Sequence, residues 1–222
     1  MKFACIFEAM EDNLSQLRKE YKHAELDEQH TSPNPFEQFA VWFAAALKAD
    51  LPEPHAMTLS TVANDGRVSS RVVLLRKYAS EGFQFFTNYT SRKGKEANDH
   101  GFAALNFFWP ELERQIRIEG KIVKVSSEES DTYFASRPRG SQLGAWASPQ
   151  SEEIASRSLL ELAFNEANAR FQGKEVPRPL HWGGYNLIPS YIEFWQGRES
   201  RLHDRICYSL EGGVWRRFRK AP

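Results

Sequence analysis

The stretch AMTLSTVANDGRVSSRVVLLRKY, Ala56 to Tyr78, decides the fold class. Two runs rich in β-branched residues flank Asn64-Asp65-Gly66. An Asn/Asp-Gly step between such runs is the strongest short-range hairpin signal, because glycine takes up the positive φ of a tight connection without steric cost. Further along, GFQFFTN (82–88) and FAALNFFW (102–109) predict strands, with the basic, helix-compatible SRKGKEANDH (91–100) between them. RQIRIEGKIVKVS (114–126) sets Ile116, Ile118, Ile122, Val123 and Val125 among charges, and Gly120 marks a bulge. GGYNLIP (183–189), YIEFWQG (191–197), RICYSL (205–210) and VWRRFRK (214–220) close the chain as strands.

Helical patterns lie around these strands. NPFEQFAVWFAAALKAD (34–50) repeats Phe36, Phe39, Ala40, Phe43 and Leu47 at intervals of three and four, which predicts an amphipathic helix starting near Pro35. SEESDTYFAS (127–136) predicts a short helix, RPRGSQLGAWASPQ (137–150) a turn-rich segment, and Ser151 to Phe171 a long helix whose acidic start suits the helix dipole. Upstream, residues 1–34 are expected to form a polar surface helix or a mobile arm. The expectation is a mainly β fold with peripheral helices, a barrel rather than a βαβ sheet, with residues 35–222 as a single domain.

The chain has 222 residues, and its Lys+Arg and Asp+Glu counts are equal at 29. That balance argues against general nucleic-acid or membrane-surface binding, both of which need a summed positive field. Cys5 and Cys207 lie near opposite ends without CxxC spacing, which argues against a metal knuckle and suits a reducing, cytoplasmic setting. No GxGxxG follows a strand, and no GxxxxGK[ST], nucleophile elbow or HExxH is present.

Four basic clusters are mixed with hydroxyl and amide side chains: RVVLLRK (71–77), TNYTSRKGK (87–95), SRPRGSQ (136–142) and RLHDR (201–205). One such cluster alone is ordinarily a solvated strand end. Four together supply the forked and single-point donors that phosphate groups need, and point to two phosphate-bearing ligands. In EFWQGRESRLHDR (193–205), an extended chain would send Arg201, His203 and Arg205 to one face, toward something anionic. The flanking arginines would depress the His203 pKa and keep its ring neutral. Trp195 is the tryptophan to place beside a planar ligand, while Trp182 and the aromatic residues 107–109 read as core.

These motifs carry a resemblance. RVVLLR (71–76), FFTNYTSRKGKE (85–96), LERQIRIEG (112–120), YFASRPRGSQLGAW (133–146), WGGY (182–185), EFWQGRESRLHDR and the terminal KAP resemble, in order and spacing, the pyridoxine/pyridoxamine 5'-phosphate oxidase family. The likeness runs from about Arg18 to Pro222. It implies a split β-barrel homodimer with FMN in two clefts built from both subunits. It also implies that Arg71, Val72, Val73, Leu74, Leu75, Arg76, Phe86, Thr87, Arg92, Lys93, Gln115, Gln150, Ser151, Trp195 and Arg205 hold FMN. By the same match, substrate falls to Arg18, Tyr21, Arg76, Tyr133, Arg137, Ser141, Arg201 and His203, with Arg201 and His203 nearest the chemistry and no metal.

The implied reaction oxidises pyridoxine or pyridoxamine 5'-phosphate to pyridoxal 5'-phosphate, with dioxygen reduced to hydrogen peroxide. Position 76 is Arg where members of the family usually carry Lys, and position 86 is Phe where Tyr also occurs. Two other functions fit the same residues: a related flavin oxidase of phenazine type, and a non-catalytic flavin or pyridoxal phosphate carrier.

Overall fold

The computed structural model describes Glu20, Tyr21 and residues 24–222. Arg18, Cys5 and most of the expected N-terminal helix or arm lie outside the described residues.

Among the described residues, nine strands form one curled antiparallel sheet: β1 (Ala56–Val62), β2 (Val68–Leu74), β3 (Lys77–Ala79), β4 (Gly82–Asn88), β5 (Phe102–Trp109), β6 (Arg114–Lys124), β7 (Trp182–Gln196), β8 (Asp204–Glu211) and β9 (Val214–Arg219). Their order is β2-β1-β5-β6-β7-β4-β3, with β8 on β7 and β9 on β8. The 15-residue β7 explains the split shape. It pairs with β6 along most of its length, but its other edge serves β4 at residues 182–187 and β8 at residues 191–196. The expected hairpin is present, with Val62 opposite Val68 and Gly66 at φ 83°. The register slips between Glu119 and Gly120, as the sequence suggested; a Cβ at position 120 would lie 2.1 Å from the Ile188 carbonyl oxygen, so only glycine allows this approach.

Helix α1 (Pro35–Lys48) begins where expected, with Asn34 Oδ1 accepting from the Phe36 amide. Its inward face plugs the barrel. Phe39 meets Phe83, Tyr78 and Phe107 with ring centroids 4.9–5.4 Å apart, and Trp42 meets Phe194 at 5.3 Å. Leu59, Leu105, Ile116, Ile118, Ile192 and Phe194 line the interior with no exposed surface. Their full burial contributes roughly 1.5–3 kcal/mol each. A second, smaller core gathers α3 (Ser127–Ser136), α4 (Arg139–Ala147) and α5 (Arg157–Arg170) through Phe134, Leu143, Ala167, Phe171, Val176 and Trp182. Helix α2 (Arg92–His100) caps the barrel near β1.

Four local expectations are corrected. Residues 139–147 are helical rather than turn-rich: Leu143 and Ala147 bury one face, and the Gln142 amide donates to the Phe134 and Ala135 carbonyls, offsetting the helix cost of Gly140 and Gly144. The long helix starts at Arg157, not Ser151, because Ser151 sits at φ 75° and the backbone turns there. Phe108 is 52% exposed, on the face opposite buried Phe107 and Trp109-bearing core positions. Glu199–Arg201 is a short 3-10 turn with Ser200 at φ 55° and Arg201 at φ 60°, so the alternation expected for Arg201, His203 and Arg205 fails before β8 begins.

Candidate active site

The predicted site residues fall into three groups. The first lies where β1 and β2 meet the N-terminus of α2. Arg71 projects from β2 to donate to the Leu59 carbonyl at 3.2 Å, to Thr61 Oγ1 at 2.5 Å and to Ser69 Oγ. The buried Glu96 carboxylate accepts from Thr61, Ser69 and Arg92 at 2.5, 2.6 and 2.8 Å. Burial works to raise the Glu96 pKa, but those donors outweigh it and bring it down to about 2.

Lys93 donates to Gln150 Oε1 at 3.1 Å, and Thr87 Oγ1 reaches the same oxygen at 3.2 Å. Burial, then the nearby Arg71 charge, lowers the Lys93 pKa. Ser91 caps α2, whose amide end adds partial positive charge. Arg92, Glu96, Gln150 and Ser151 line a cavity of about 510 Å³. Three cations, one carboxylate and a helix N-terminus suit a dianionic phosphate, so this donor set fits the phosphate end of FMN.

The second group lies beyond β4. Tyr133, Phe86 and Trp182 form a stack, with Phe86 3.9 Å from Tyr133 and 5.6 Å from Trp182. The Phe86 ring is therefore engaged within this stack. The Arg137 guanidinium sits 4.5 Å above the Trp182 ring, and its buried Nη1 has no hydrogen-bond partner among the described residues. Burial first, and then Arg76, lowers the Arg137 pKa. Arg76 lies 5.9 Å over Tyr133, and Ser141 occupies the exposed first turn of α4. A buried guanidinium nitrogen without an acceptor is costly, and a bound anion would relieve that cost.

The third group lies on the outer face of the sheet. Register puts Phe108, Gln115, Trp195 and Arg205 in one cross-strand row, next to the buried row Phe107, Ile116, Phe194 and Ile206. Val72 is 67% exposed on the edge strand β2, Val73 and Leu74 are half-buried, and Leu75 just beyond the strand is buried. His203 lies 4.6 Å from Trp195, and Tyr21 meets both rings edge-on at 5.7 Å. The Arg198 amide donates to His203 Nδ1 at 3.1 Å, so the neutral ring carries its proton on Nε2. Burial first, then Arg201, lowers the His203 pKa, the direction expected from its flanking arginines.

Arg205 is not free to face a ligand with all its donors. It pairs with buried Glu193 at 2.8 Å and donates to the Ala221 carbonyl at 2.9 Å. Part of the anion expected opposite the RLHDR cluster is therefore the protein's own. Sequence reasoning missed Glu193, Glu96 and Gly197. The signals were present in Glu193 two positions before Trp195 and in Glu96 four after Arg92, but a carboxylate's burial is invisible in one dimension.

Comparisons with known proteins identify the family and the fold. Residues 43–171 match the family model described as pyridoxamine 5'-phosphate oxidase, and residues 182–222 match the pyridoxine 5'-phosphate oxidase C-terminal dimerisation region. The chain is 58% identical over 212 residues to a Burkholderia thailandensis protein named pyridoxine/pyridoxamine 5'-phosphate oxidase, covering 94% of this chain and 99% of that one. A Cyanothece protein of the same name is 51% identical over 210 residues, covering 95% and 99%.

Among solved structures, PhzG from Burkholderia lata, in complex with tetrahydrophenazine-1-carboxylic acid, superposes with a TM-score of 0.85 at 32% identity, covering 92% of this chain and 100% of that one. An FMN-binding, pyridoxamine 5'-phosphate oxidase-related protein from Nostoc punctiforme gives a TM-score of 0.67 at 17% identity, covering 86% and 99%, and supports the fold alone.

Proposed function

The chain belongs to the pyridoxine/pyridoxamine 5'-phosphate oxidase family, and from that premise we propose that it oxidises pyridoxine 5'-phosphate and pyridoxamine 5'-phosphate to pyridoxal 5'-phosphate, with dioxygen reduced to hydrogen peroxide. The observation that carries this reading is the unpartnered Arg137 nitrogen above Trp182, with Arg76 and Tyr133 beside it. It provides a second anion site, distinct in its residues from the Arg71, Arg92 and Lys93 cradle. One suits a cofactor phosphate and the other a substrate phosphate.

When bound, FMN supplies a hydride acceptor at its flavin ring. The chain's own residues do the rest by holding and orienting. Arg71, Arg92 and Lys93 hold the cofactor phosphate, and the exposed edge of β2 offers main-chain groups from Arg71 to Leu75. Arg76, Tyr133, Arg137 and Ser141 hold the substrate phosphate, leaving Trp195, Arg201 and His203 to position the ring. The Nε2 proton of His203 is available to a substrate oxygen, and Tyr21 shields the pocket from water. Positioning of this kind supplies much of the acceleration without an indispensable general base.

Gln115, Trp195 and Arg205 share the outer sheet face with exposed Phe108, whereas Arg71, Lys93 and Gln150 cluster at α2. A homodimer in which a second copy brings the outer-face row to the cradle fits this separation and the matched dimerisation region. We place the enzyme in the cytoplasm; among the described residues no helix is long and apolar enough to cross a membrane.

The PhzG likeness supports a second reading, a flavin oxidase of phenazine type. The Arg76–Arg137 anion site favours the phosphate ester. The test is peroxide release in air from pyridoxine 5'-phosphate against dephosphorylated pyridoxine. Turnover should need the phosphate; equal turnover of both would overturn the assignment.

A further inference from the structure

Residues 24–32 run as a strap without regular secondary structure, clamped by the C-terminal strands. Leu26 is buried in the main core. Arg219 donates to the Leu26 carbonyl at 3.0 Å and to Glu28 at 2.9 Å, Arg217 donates to the Thr31 carbonyl at 2.5 Å, and Tyr208 donates to the Ser32 carbonyl at 2.6 Å. Asp204 is the hub of this clamp. Its carboxylate accepts from the Leu26 amide at 3.1 Å, from Arg198 at 3.4 Å and from Arg219 at 2.6 Å, while Arg198 also reaches Glu25 at 2.8 Å.

The strap leads to Tyr21. Tyr21 lies five positions before Leu26, a step that spans at most about 17 Å, so anchoring Leu26 limits where Tyr21 can go. Tyr21 packs on Gly197 as well as on Trp195 and His203; a Cβ at position 197 would lie 2.7 Å from Tyr21 Cγ. The same Arg198 that Asp204 holds presents its amide to His203 Nδ1.

We propose that Asp204 is a positioning residue: by holding Leu26 and Arg198 it sets Tyr21 against His203 and Trp195, and it strengthens substrate binding without touching substrate. This rests on the substrate reading above. Asp204→Asn keeps the side chain's size and leaves Arg219 paired with Glu28 and Arg198 with Glu25, so the fold has other anchors.

In the FMN-loaded Asp204→Asn enzyme, amide hydrogen exchange over residues 24–27 should quicken by tenfold or more. The KM for pyridoxine 5'-phosphate should rise roughly tenfold, with a smaller change in kcat and unaltered FMN content. Combined with Tyr21→Ala, the substitution should add little to the KM of Tyr21→Ala alone. Wild-type exchange, unchanged KM despite faster exchange, or additive effects in the double variant would each overturn the proposal while the enzyme itself stays active. Absent turnover in the wild type would overturn the substrate reading and the proposal together.

Discussion

The Arg205 guanidinium lies 2.8 Å from the carboxylate of Glu193, whose side chain is 2% exposed. The β7–β8 register makes them diagonal neighbours on the outer face, since Arg205 sits opposite Trp195 and Glu193 opposite Cys207. Tyr191 also donates to Glu193 at 2.9 Å. Burial pushes this carboxyl up, but Arg205 and Tyr191 hold it below the usual range. Arg205→Met leaves that charge buried without its main partner and should destabilise the protein by about 2–3 kcal/mol, below the full buried-pair cost because Arg205 keeps some solvent. Adding Glu193→Gln should recover most of the loss. Urea unfolding reads both, and an unchanged midpoint for Arg205→Met would rule out the pair as a stabilising contact.

Lys93→Met should weaken FMN retention by about 1.5–3 kcal/mol, the worth of a charge-assisted hydrogen bond to phosphate. Arg71→Met should do the same and also disturb Thr61 and Ser69, which share its donors. FMN fluorescence quenching measures both. Wild-type affinity in the two variants would remove this cradle as the phosphate site.

Arg137→Met should act in opposite directions on stability and binding. Its buried Nη1 lacks a partner among the described residues, so the ligand-free protein should lose no thermal stability. The KM for pyridoxine 5'-phosphate should still rise roughly 10–100-fold. A fall in Tm with unchanged KM would make Arg137 a structural residue.

Arg201→Met and His203→Ala should keep flavin in place yet lower kcat/KM roughly 10–100-fold. His203 is held below its ordinary 6.5 by burial and by Arg201. The neutral ring should therefore support a flat kcat/KM through neutral pH that declines only as pH falls below the usual histidine range. Removing the Arg201 charge should move that decline to higher pH. A pH profile unaltered by Arg201→Met would show that the two groups do not interact.

Glu96 should contribute to the loss of stability in acid. Its pKa falls from 4.5 to about 2 on folding, so its contribution is complete above the unfolded value and is lost as pH drops from about 4.5 toward 2. Glu96→Gln should flatten that part of the stability profile, as followed by circular dichroism during acid titration. An identical acid transition in the variant would place the sensitivity elsewhere.

Much of the fold was legible because its signals are local. Asn64-Asp65-Gly66 turns the first hairpin through its own backbone, Asn34-Pro35 starts α1 through a contact two residues away, and alternation assigns Ile116 and Ile118 to one face without reference to other strands. The matched motifs likewise named most candidate site residues. What tertiary structure decided depends on partners far along the chain. Helix 139–147 forms because Leu143 and Ala147 find cover and Gln142 finds carbonyls, although its own residues favour a turn. Arg201 leaves the extended path at a positive-φ turn that β8 and Arg198 bracket, and Asp204 joins Leu26 from 178 positions away. The charge on Glu193 or Glu96 reads as an ordinary surface carboxylate until a neighbouring strand or helix buries it. Burial raises the cost of an unpaired charge; Arg205 meets it for Glu193 across the β7–β8 pair, and for Glu96 it is met by Arg92 one helical turn away together with Thr61 and Ser69, which β1 and β2 bring to it.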